Sequence, residues 1–345
     1  MKLAIAGGFG GTHLGGSFAR AAAELGLETL CFDSGEASWG PRLLRSLRWH
    51  LADRKPLRLG RFSASVVAAC AEARPDVLIA TGAAALTAPA LIILRDLGVR
   101  TVNFSTDDPW NRNLGSRWHR RALPVYDAVF TPRRANIIDL ETLGCRNVRY
   151  LPFGYDEALF APPGDAGAPP DGDVLFVGGG DADRLAFIRA FMRSGPSVSL
   201  AGGYWDRFAA TRDRAIGLKS PEALAALTAE AKVNLCLVRQ ANRDGHVMRS
   251  FEIAAIGGCM LVEDTVEHRE IFGPDGECVR YFSGPEDAAG LANVLVSDPA
   301  ERGRLASAVH ARVIAGHHTY RDRLHALIEG TTASAAPGSS KLDAA

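Results

Sequence analysis

Residues 249–262 read RSFEIAAIGGCMLV and predict a helix that leads directly into a buried strand. The apolar positions from Phe251 to Ile256 have helical spacing, and the double glycine Gly257-Gly258 is typical of a helix C-terminus. The run from Cys259 to Val262 is apolar without interruption, which favours a strand. A helix that passes through glycine into such a strand is part of the repeating unit of a parallel sheet covered by helices.

The same alternation of apolar runs and amphipathic segments extends over the rest of the chain. Further strands are predicted at Lys2–Ala6, Glu28–Phe32, Val77–Ala80, Arg100–Phe104, Ala128–Thr131, Val148–Tyr150, Asp173–Val177, Val198–Ala201, Val233–Val238 and Cys278–Phe282. Helices are predicted between them, among them Gly16–Leu25, Ser63–Ala73, Pro89–Leu97, Ala182–Arg193 and a final one near Ala300–Ile328. The basic segment Ser38–Arg58 is predicted to be irregular. Both halves begin with strand, glycine loop and helix, so the sequence predicts an α/β fold of two Rossmann-like domains facing across a cleft.

A break in composition separates the two halves. Residues 161–172 read APPGDAGAPPDG, and this proline and glycine content suits an exposed linker. We therefore expect a first domain over residues 1–160 and a second over 173–330, with the final helix crossing back. The tail over 331–345 is rich in alanine, serine and glycine and is predicted to be disordered.

Composition and charge exclude several classes of protein. The 345 residues are 47% hydrophobic and 23% charged, as in folded globular chains. The 39 basic and 39 acidic residues balance, so we expect no nucleic-acid partner. The apolar N-terminus turns to glycine too early for a signal peptide, and the nearest approach to a membrane span, Ala83–Leu94, is short and contains Pro89. We expect a cytoplasmic protein with at most peripheral membrane contact.

The cysteines and acidic pairs give no sign of a bound metal. Six cysteines occur without a C-x-x-C pair, so we interpret them as reduced, buried small hydrophobes. Asp181 and Asp183 suggest a metal pair, but they follow a glycine loop and more simply supply an N-cap and a first-turn acid for the next helix. We expect neither a metal nor a cofactor.

The first glycine loop follows the first predicted strand. Its backbone, including Gly10 and Gly11, can approach an anion or a sugar closely. A dinucleotide fingerprint G-x-G-x-x-G fails at His13, although Asp33 ends the second strand where a ribose-binding acid would lie. His13 itself fits a general base or a structural histidine of the loop, and both interpretations stay open.

The segment Asn103–Asn111, NFSTDDPWN, follows a strand at the edge where open α/β sheets bind ligands. Asp107, Asp108 and Trp110 suit recognition of a polyhydroxylated acceptor, and Asp107 or Asp108 can accept a proton. The alternative is a plain turn, because Asp-Pro and Asn are turn residues. We favour the binding interpretation, since site residues concentrate on such loops.

Arg249 and Glu252 are neighbours at helical spacing near a helix start. An arginine and the free N–H groups there can hold a diphosphate, and a carboxylate can accept hydrogen bonds from both hydroxyls of a ribose. The alternative is a surface ion pair worth about 0.2–0.5 kcal/mol. Spacing alone leaves both open.

Three motifs together resemble the spore-maturation CgeB-like glycosyltransferases, a group with the two-domain GT-B fold. They are RSFEIAAIGGCMLV, EIFGPDGECVRYF and HHTYRDR, and the resemblance covers about Asp173 to Ile328. It implies that Glu252 binds the donor ribose and that Asp244, eight positions earlier, lies near the donor sugar. Asp244 replaces the more usual glutamate, and no G-F-G follows it.

The resemblance also implies that the loop Gly178, Gly179 and Gly180 approaches the phosphates and that Lys219 lies near the base. The hypothesis is a metal-independent glycosyltransferase that takes a nucleotide-diphosphate sugar and transfers the sugar to a small-molecule, glycan or protein acceptor. Arg249 stabilises the leaving diphosphate, and His13 or Asp107 serves as base if the configuration inverts. Two alternatives remain: a sugar-nucleotide epimerase and a non-catalytic partner protein of the same fold.

Overall fold

The computed structural model describes residues 1–164 and 169–332. Contacts divide the described chain into two compact units, one of residues 1–151 with 324–332, the other within Pro152–Arg323. Residues 165–168 of the predicted linker and 333–345 of the predicted tail lie outside the described residues. The domain boundaries drawn from the sequence stay a prediction.

The first unit is built on a six-stranded parallel sheet with the strand order β2-β1-β3-β4-β5-β6. Its strands are β1 Lys2–Gly7, β2 Glu28–Asp33, β3 Val77–Thr81, β4 Arg100–Phe104, β5 Ala128–Thr131 and β6 Val148–Tyr150. Its helices are α1 Leu14–Glu24, α2 Arg42–Leu51, α3 Leu59–Ala73, α4 Ala88–Asp96, α5 Arg117–Ala122 and α6 Ile137–Thr142. All five residues of β3 are buried, because helices cover both faces of a parallel sheet.

The second unit has a six-stranded parallel sheet with the order β12-β11-β10-β7-β8-β9. Its strands are β7 Val174–Val177, β8 Val198–Ala201, β9 Ala215–Gly217, β10 Val233–Cys236, β11 Met260–Glu263 and β12 Arg280–Phe282. Its helices are α7 Ala182–Phe191, α8 Pro221–Glu230, α9 Met248–Ile256, α10 Val266–Phe272, α11 Pro285–Ser297 and α12 Pro299–Ala315, and α13 Tyr320–Thr332 ends the described chain. Within this unit the order is that of the Rossmann fold, with the topological switch point between β7 and β10.

The fold class predicted from the sequence is confirmed at the level of the units, each a parallel α/β sheet. The helix around Phe251 ends where the glycines predicted it. Gly257 has φ +85 in the left-handed region and caps α9, and a Cβ on Gly258 would lie 2.6 Å from Asn234 Nδ2. Two glycines therefore let α9 turn closely onto the sheet.

Three predictions about elements were wrong. The segment Ser38–Arg58 is not irregular, because Arg42–Leu51 forms the helix α2. The three-residue strand β9 was missed. The predicted final helix is two helices: His317 has φ +52 between them, and Thr319 starts the second, accepting from the Asp322 amide at 3.1 Å.

The prediction that all six cysteines are buried was wrong for Cys31, which is exposed on β2. This strand lies at the edge of its sheet, and none of its six residues is fully buried. All six are free thiols, and burial raises the pKa of Cys70 to about 11.

Candidate functional site

A small hollow of about 40 Å³ lies at the topological switch point of the second unit. It is formed by the carboxyl ends of β10 and β11 and by the start of α7, the helix that follows β7, where open α/β sheets bind ligands. The polar and charged residues that line it are Asp181, Asp183, Arg184, Arg239, Gln240 and Glu263. The sheet topology therefore gathers side chains that lie far apart in the sequence.

Two arginines line this hollow together with the carboxylates of Asp181, Asp183 and Glu263. Arg184 donates from Nη1 to the Gly179 carbonyl at 3.1 Å, and its buried Nε has no hydrogen-bond partner among the described residues. Burial lowers the pKa of Arg184, and the nearby charge of Arg239 lowers it further. Arg239 Nε lies 3.7 Å from Asp181 Oδ2, within ion-pair distance. A buried guanidinium with an unused N–H donor next to a second cation is suited to an anionic ligand.

Glu263 ends β11 on the wall of the same hollow. Its Oε2 accepts a hydrogen bond from the Val238 amide at 2.9 Å, which ties the ends of β10 and β11 together. Burial raises the pKa of Glu263, whereas the amide and the Arg184 charge oppose that shift. The carboxylate thus balances part of the arginine charge without covering it.

Arg249 and Glu252 form an ion pair in the first half of α9. Only 1% of the Glu252 side chain is exposed, against 24% for Arg249, whose guanidinium lies 5.7 Å from the Phe160 ring centre. Burial raises the pKa of Glu252, and the charge of Arg249 acts against this. Glu252 Oε1 is buried without a hydrogen-bond partner among the described residues. The pair is therefore a desolvated feature and not the surface pair that the sequence left open.

The glycines of the loop after β7 serve close packing. Gly178 and Gly180 donate their amides to the carbonyls of Ala201 and Gly203 at 2.8 and 2.9 Å, and Trp205 Nε1 donates to the Gly178 carbonyl at 2.7 Å. A Cβ on Gly180 would lie 3.0 Å from the Trp205 ring. Two of the three loop amides are thus already used by the protein.

The other predicted donor residues lie in different surroundings. Asp244 is half-buried between β10 and α9, near enough to Arg184 to raise the pKa of that guanidinium. Lys219 is exposed on the loop after β9. Asp181 accepts from the Arg184 amide at 3.0 Å and caps α7, in the role that the sequence favoured over a metal ligand.

In the first unit, a cavity of about 590 Å³ lies at the carboxyl ends of β2, β3 and β4. Asp107 and Asp108 line it, together with Ser34, the helix α2 and the start of α5. Asp107 is exposed, whereas Asp108 is buried and accepts from the Trp110 amide at 2.9 Å and from Asn136 Nδ2 at 3.0 Å. Asp107 is therefore the more accessible carboxylate, and Asp108 orders the loop.

Cations dominate the cavity wall. The side chains of Arg42, Arg45, Arg48 and Lys55 line it and form no ion pair or hydrogen bond with the rest of the described protein. Arg54 differs from these four, because its guanidinium is already bonded to the protein: it donates to the carbonyls of Arg112, Asn113 and Gly115. Unpaired cations around a cavity favour an anionic ligand.

His119 lies in the same wall and is 5% exposed. Burial lowers its pKa to about 4, with a further contribution from the Arg120 charge, so the imidazole is neutral near pH 7. Its buried Nδ1 has no hydrogen-bond partner among the described residues. A neutral ring with an unused nitrogen can hydrogen-bond a ligand hydroxyl.

The remaining residues predicted for an acceptor lie after β1 or pack on the core. Gly10 and Gly11 are exposed with φ +83 and +51, and a Cβ on either would meet open space. His13 is the exposed N-cap of α1 and makes no capping bond with its side chain. None of these three lines the cavity, and Trp110 packs against the core of the first unit.

Sequence reasoning missed Arg184, Arg239 and Glu263 in the second unit and the α2 arginines and His119 in the first. Each of the first three follows a strand or begins a helix, which is a general signal for a site. Only the strand order, however, shows that β7 and β10 are neighbours. The signal for α2 was the helical spacing of its leucines.

Residues 184–329 match the model of a protein family described as glycosyl transferase-like. This stretch contains Arg184, Arg239, Arg249 and Glu252. The sequence matches none of the curated proteins. The family match therefore covers α9 and the residues of the hollow from Arg184 to Glu263, but not residues 1–151 of the first unit.

Solved structures share the fold over nearly the whole chain. A sucrose-phosphate synthase from Thermosynechococcus elongatus is 15% identical, and the alignment covers 95% of this chain and 98% of that chain with a TM-score of 0.64. Anabaena HepE in complex with UDP-glucose is also 15% identical, with 96% and 99% covered and a TM-score of 0.59. A Listeria monocytogenes protein provisionally described as a UDP-N-acetylglucosamine 2-epimerase is 13% identical, with 96% and 97% covered and a TM-score of 0.54. These similarities show that the chain has the GT-B fold.

Proposed function

We propose that the protein is a glycosyltransferase that moves a sugar from a nucleotide-diphosphate donor to an acceptor. The observation that carries the proposal is the pair Arg184 and Arg239 at the topological switch point, within the segment that matches the glycosyl transferase-like family. Open α/β sheets bind nucleotides at this point, and two guanidinium groups match a diphosphate. The three motifs similar to CgeB-like glycosyltransferases support the same assignment.

The donor diphosphate binds against Arg184 and Arg239, with Arg249 as a third cation at the start of α9. Glu252 accepts a hydrogen bond from a ribose hydroxyl through Oε1, the carboxylate oxygen that no described protein group uses. We assign Asp244, whose charge acts on Arg184, to the donor sugar, as the resemblance implies, and its carboxylate would accept from sugar hydroxyls. The glycine loop contributes mainly by close approach of its backbone, since two of its amides are already bonded.

The chemistry takes place at the anomeric carbon of the donor sugar. As the bond to the diphosphate breaks, negative charge develops on the leaving oxygen, and the three arginines stabilise it. Because the arginine side chains supply this stabilisation, we expect the reaction to proceed in the presence of a metal chelator. If the configuration inverts, Asp107 is the preferred base, because it lies exposed on the cavity wall whereas His13 does not line the cavity.

The acceptor binds in the cavity of the first unit and carries an anionic group. The unpaired cations Arg42, Arg45 and Lys55 would receive that group, and His119 Nδ1 would accept from one of its hydroxyls. The cavity also supports glycosyl transfer over epimerisation. An epimerase acts on the donor alone, whereas about 590 Å³ is room for a second substrate.

The donor site is tested by thermal shift with UDP-, GDP-, dTDP- and CDP-linked sugars. UDP-glucose comes first, because the similar HepE structure holds it. A bound donor at 100 times its Kd stabilises the protein by about 2.7 kcal/mol and raises the Tm. Arg239→Ala removes charge-assisted hydrogen bonds, so we expect donor affinity to fall about tenfold to hundredfold.

Arg193→Ala is the matched control, because Arg193 is an exposed arginine at the end of α7 that does not line the hollow. It should keep the shift unchanged. A shift that survives Arg239→Ala would contradict the diphosphate assignment. Failure of every nucleotide sugar to raise the Tm would favour the non-catalytic alternative, and epimerised donor without transfer to added acceptors would favour the epimerase.

A further inference from the structure

The helix α2 exposes an unusual amount of apolar surface. None of its ten residues is buried. Leu43 is 85% exposed, Leu51 76%, Leu47 54% and Leu44 49%, and Trp39 just before the helix is 70% exposed. Four exposed leucines on one short helix, with an exposed tryptophan just before it, mark an interaction site.

The two faces of α2 have opposite character. With 100° between successive residues, Arg42, Arg45, Ser46 and Trp49 share one face, and these four line the cavity. Leu43, Leu44, Leu47 and Leu51 share the opposite face. The polar face of this helix therefore contacts the protein's own cavity and the apolar face lies outside, the reverse of a helix that packs on a core.

Basic residues border the apolar face, and acidic residues do not. At the same angular spacing, Arg48 and His50 flank the leucines on either side. From Ala37 to Ala52 the sequence contains three arginines and one histidine and no aspartate or glutamate. Trp39 continues this border, with the Arg58 guanidinium 4.8 Å from its ring centre.

We propose that α2 and Trp39 form a membrane-docking surface that binds anionic lipid bilayers. Helices with leucine and tryptophan on one face and arginine on the other lie in the plane of the membrane interface. Basic residues near an anionic surface add electrostatic attraction to the burial of the leucines. The leucines enter the boundary of the acyl chains, while Arg48 and His50 remain among the lipid phosphates.

A second copy of the chain is the competing occupant of this surface. Self-association through α2 would bring the same arginine-bearing, acid-free segments together, and like charges repel across an interface. An anionic bilayer instead supplies the complementary charge. The inference goes beyond glycosyl transfer and can be tested without donor or acceptor.

The test is co-sedimentation of the full chain with vesicles, without nucleotide. We expect binding to vesicles of phosphatidylglycerol and phosphatidylcholine, at least tenfold weaker binding to phosphatidylcholine alone, and weaker binding as salt increases. Leu43→Glu/Leu47→Glu should reduce binding at least tenfold. Because α2 has no buried residue, this variant should keep the Tm of the parent protein.

Ile93→Glu/Ile138→Glu is the matched control, since both isoleucines are exposed on other helices of the first unit, α4 and α6. It should bind vesicles like the parent protein. Quenching of Trp39 fluorescence by brominated lipid, lost in Trp39→Phe, would place the surface in the bilayer. The proposal is overturned if vesicles do not sediment the protein at low salt, if Leu43→Glu/Leu47→Glu binds undiminished, or if light scattering shows a dimer that this variant dissociates.

Discussion

Glu252 illustrates how one residue combines a structural and a ligand-binding role. Its carboxylate is almost completely out of water, and Arg249 is the cation paired with it. Burial raises the pKa of Glu252 while the Arg249 charge lowers it, so the ionised form depends on this partner. One carboxylate oxygen is committed to the arginine and the other is buried without a described partner. The residue is thus held ready to accept a hydrogen bond.

Removing Arg249 from this pair should destabilise the protein more than removing Glu252. Arg249→Met leaves a buried, uncompensated carboxylate, which costs about 3–5 kcal/mol. Glu252→Gln leaves an arginine that is 24% exposed and can be partly rehydrated, so this variant should lose less free energy of unfolding. Urea unfolding at pH 7 measures both variants. In the double variant the two losses should not add, and strictly additive losses would show that the pair is energetically uncoupled.

The candidate site was predictable from sequence only where its residues are close together in the chain. Arg249 and Glu252 are one helical turn apart, so spacing alone placed them together. Arg184 and Arg239 are separated by three strands in the sequence, and a single sequence does not show which strands are neighbours. His119 lacks any local signal, because its burial and its lowered pKa come from the surrounding fold.

At the scale of elements, the loops after β7 and β8 are held together by glycine. Gly202 has φ +136, a conformation that residues with a side chain rarely adopt, and a Cβ there would lie 2.3 Å from the Gly178 carbonyl oxygen. Gly178 in turn accepts from Trp205 Nε1. The carboxyl edge of the second sheet therefore depends on a backbone approach that only glycine permits.

Gly202→Ala should lower the stability of the second unit by about 1–3 kcal/mol, the usual cost of a strained backbone conformation. It should also weaken UDP-glucose binding, because the loop after β7 borders the switch-point hollow. Gly203→Ala is the matched control, since a Cβ at Gly203 meets no atom within 4 Å. Urea midpoints and thermal shifts measure both. Equal midpoints for the two variants would refute the close-approach argument.

Apolar runs predicted most of the strands well, whereas β9 and α2 were missed. The predicted bounds of β4, β5, β6 and β8 match the observed ones, and β5 and β8 are each followed directly by a turn residue, Pro132 or Gly202. β9 contains only Ala215-Ile216-Gly217, which follows the charged run Arg212-Asp213-Arg214 and ends in glycine, so no apolar run marks it. α2 was missed because its dense arginines hid a leucine stripe, and that stripe does not face a core.

At the scale of the whole molecule, sequence pattern was sufficient to predict two parallel α/β units. Alternating strands and helices restrict the sheet to parallel pairing, and each unit then has room for helices on both faces. The sequence pattern did not show the order of the strands in either sheet. That order differs between the units: the first places β3 directly beside β1, whereas the second has the Rossmann order around β7.

Both units bury neutral histidines, and this makes the stability of the molecule sensitive to mild acid. Burial lowers the pKa of His119 in the first unit, and of His268 and His318 in the second, to about 4. In the unfolded chain a histidine titrates near pH 6.5, so between these values the unfolded state binds more protons. Stability is therefore fully present above pH 6.5 and is lost as the pH falls towards 4.

Each such histidine should lower the free energy of unfolding by about 2 kcal/mol between pH 7 and pH 5. His119→Phe removes the titrating group from the first unit, so the unfolding of that unit, followed by urea titration at the two pH values, should become less pH-dependent by this amount. His325→Phe replaces an exposed histidine and should leave the pH dependence unchanged. If His119→Phe and the parent protein lose the same free energy on acidification, His119 does not titrate as its burial requires, and another group must cause the acid sensitivity of the first unit.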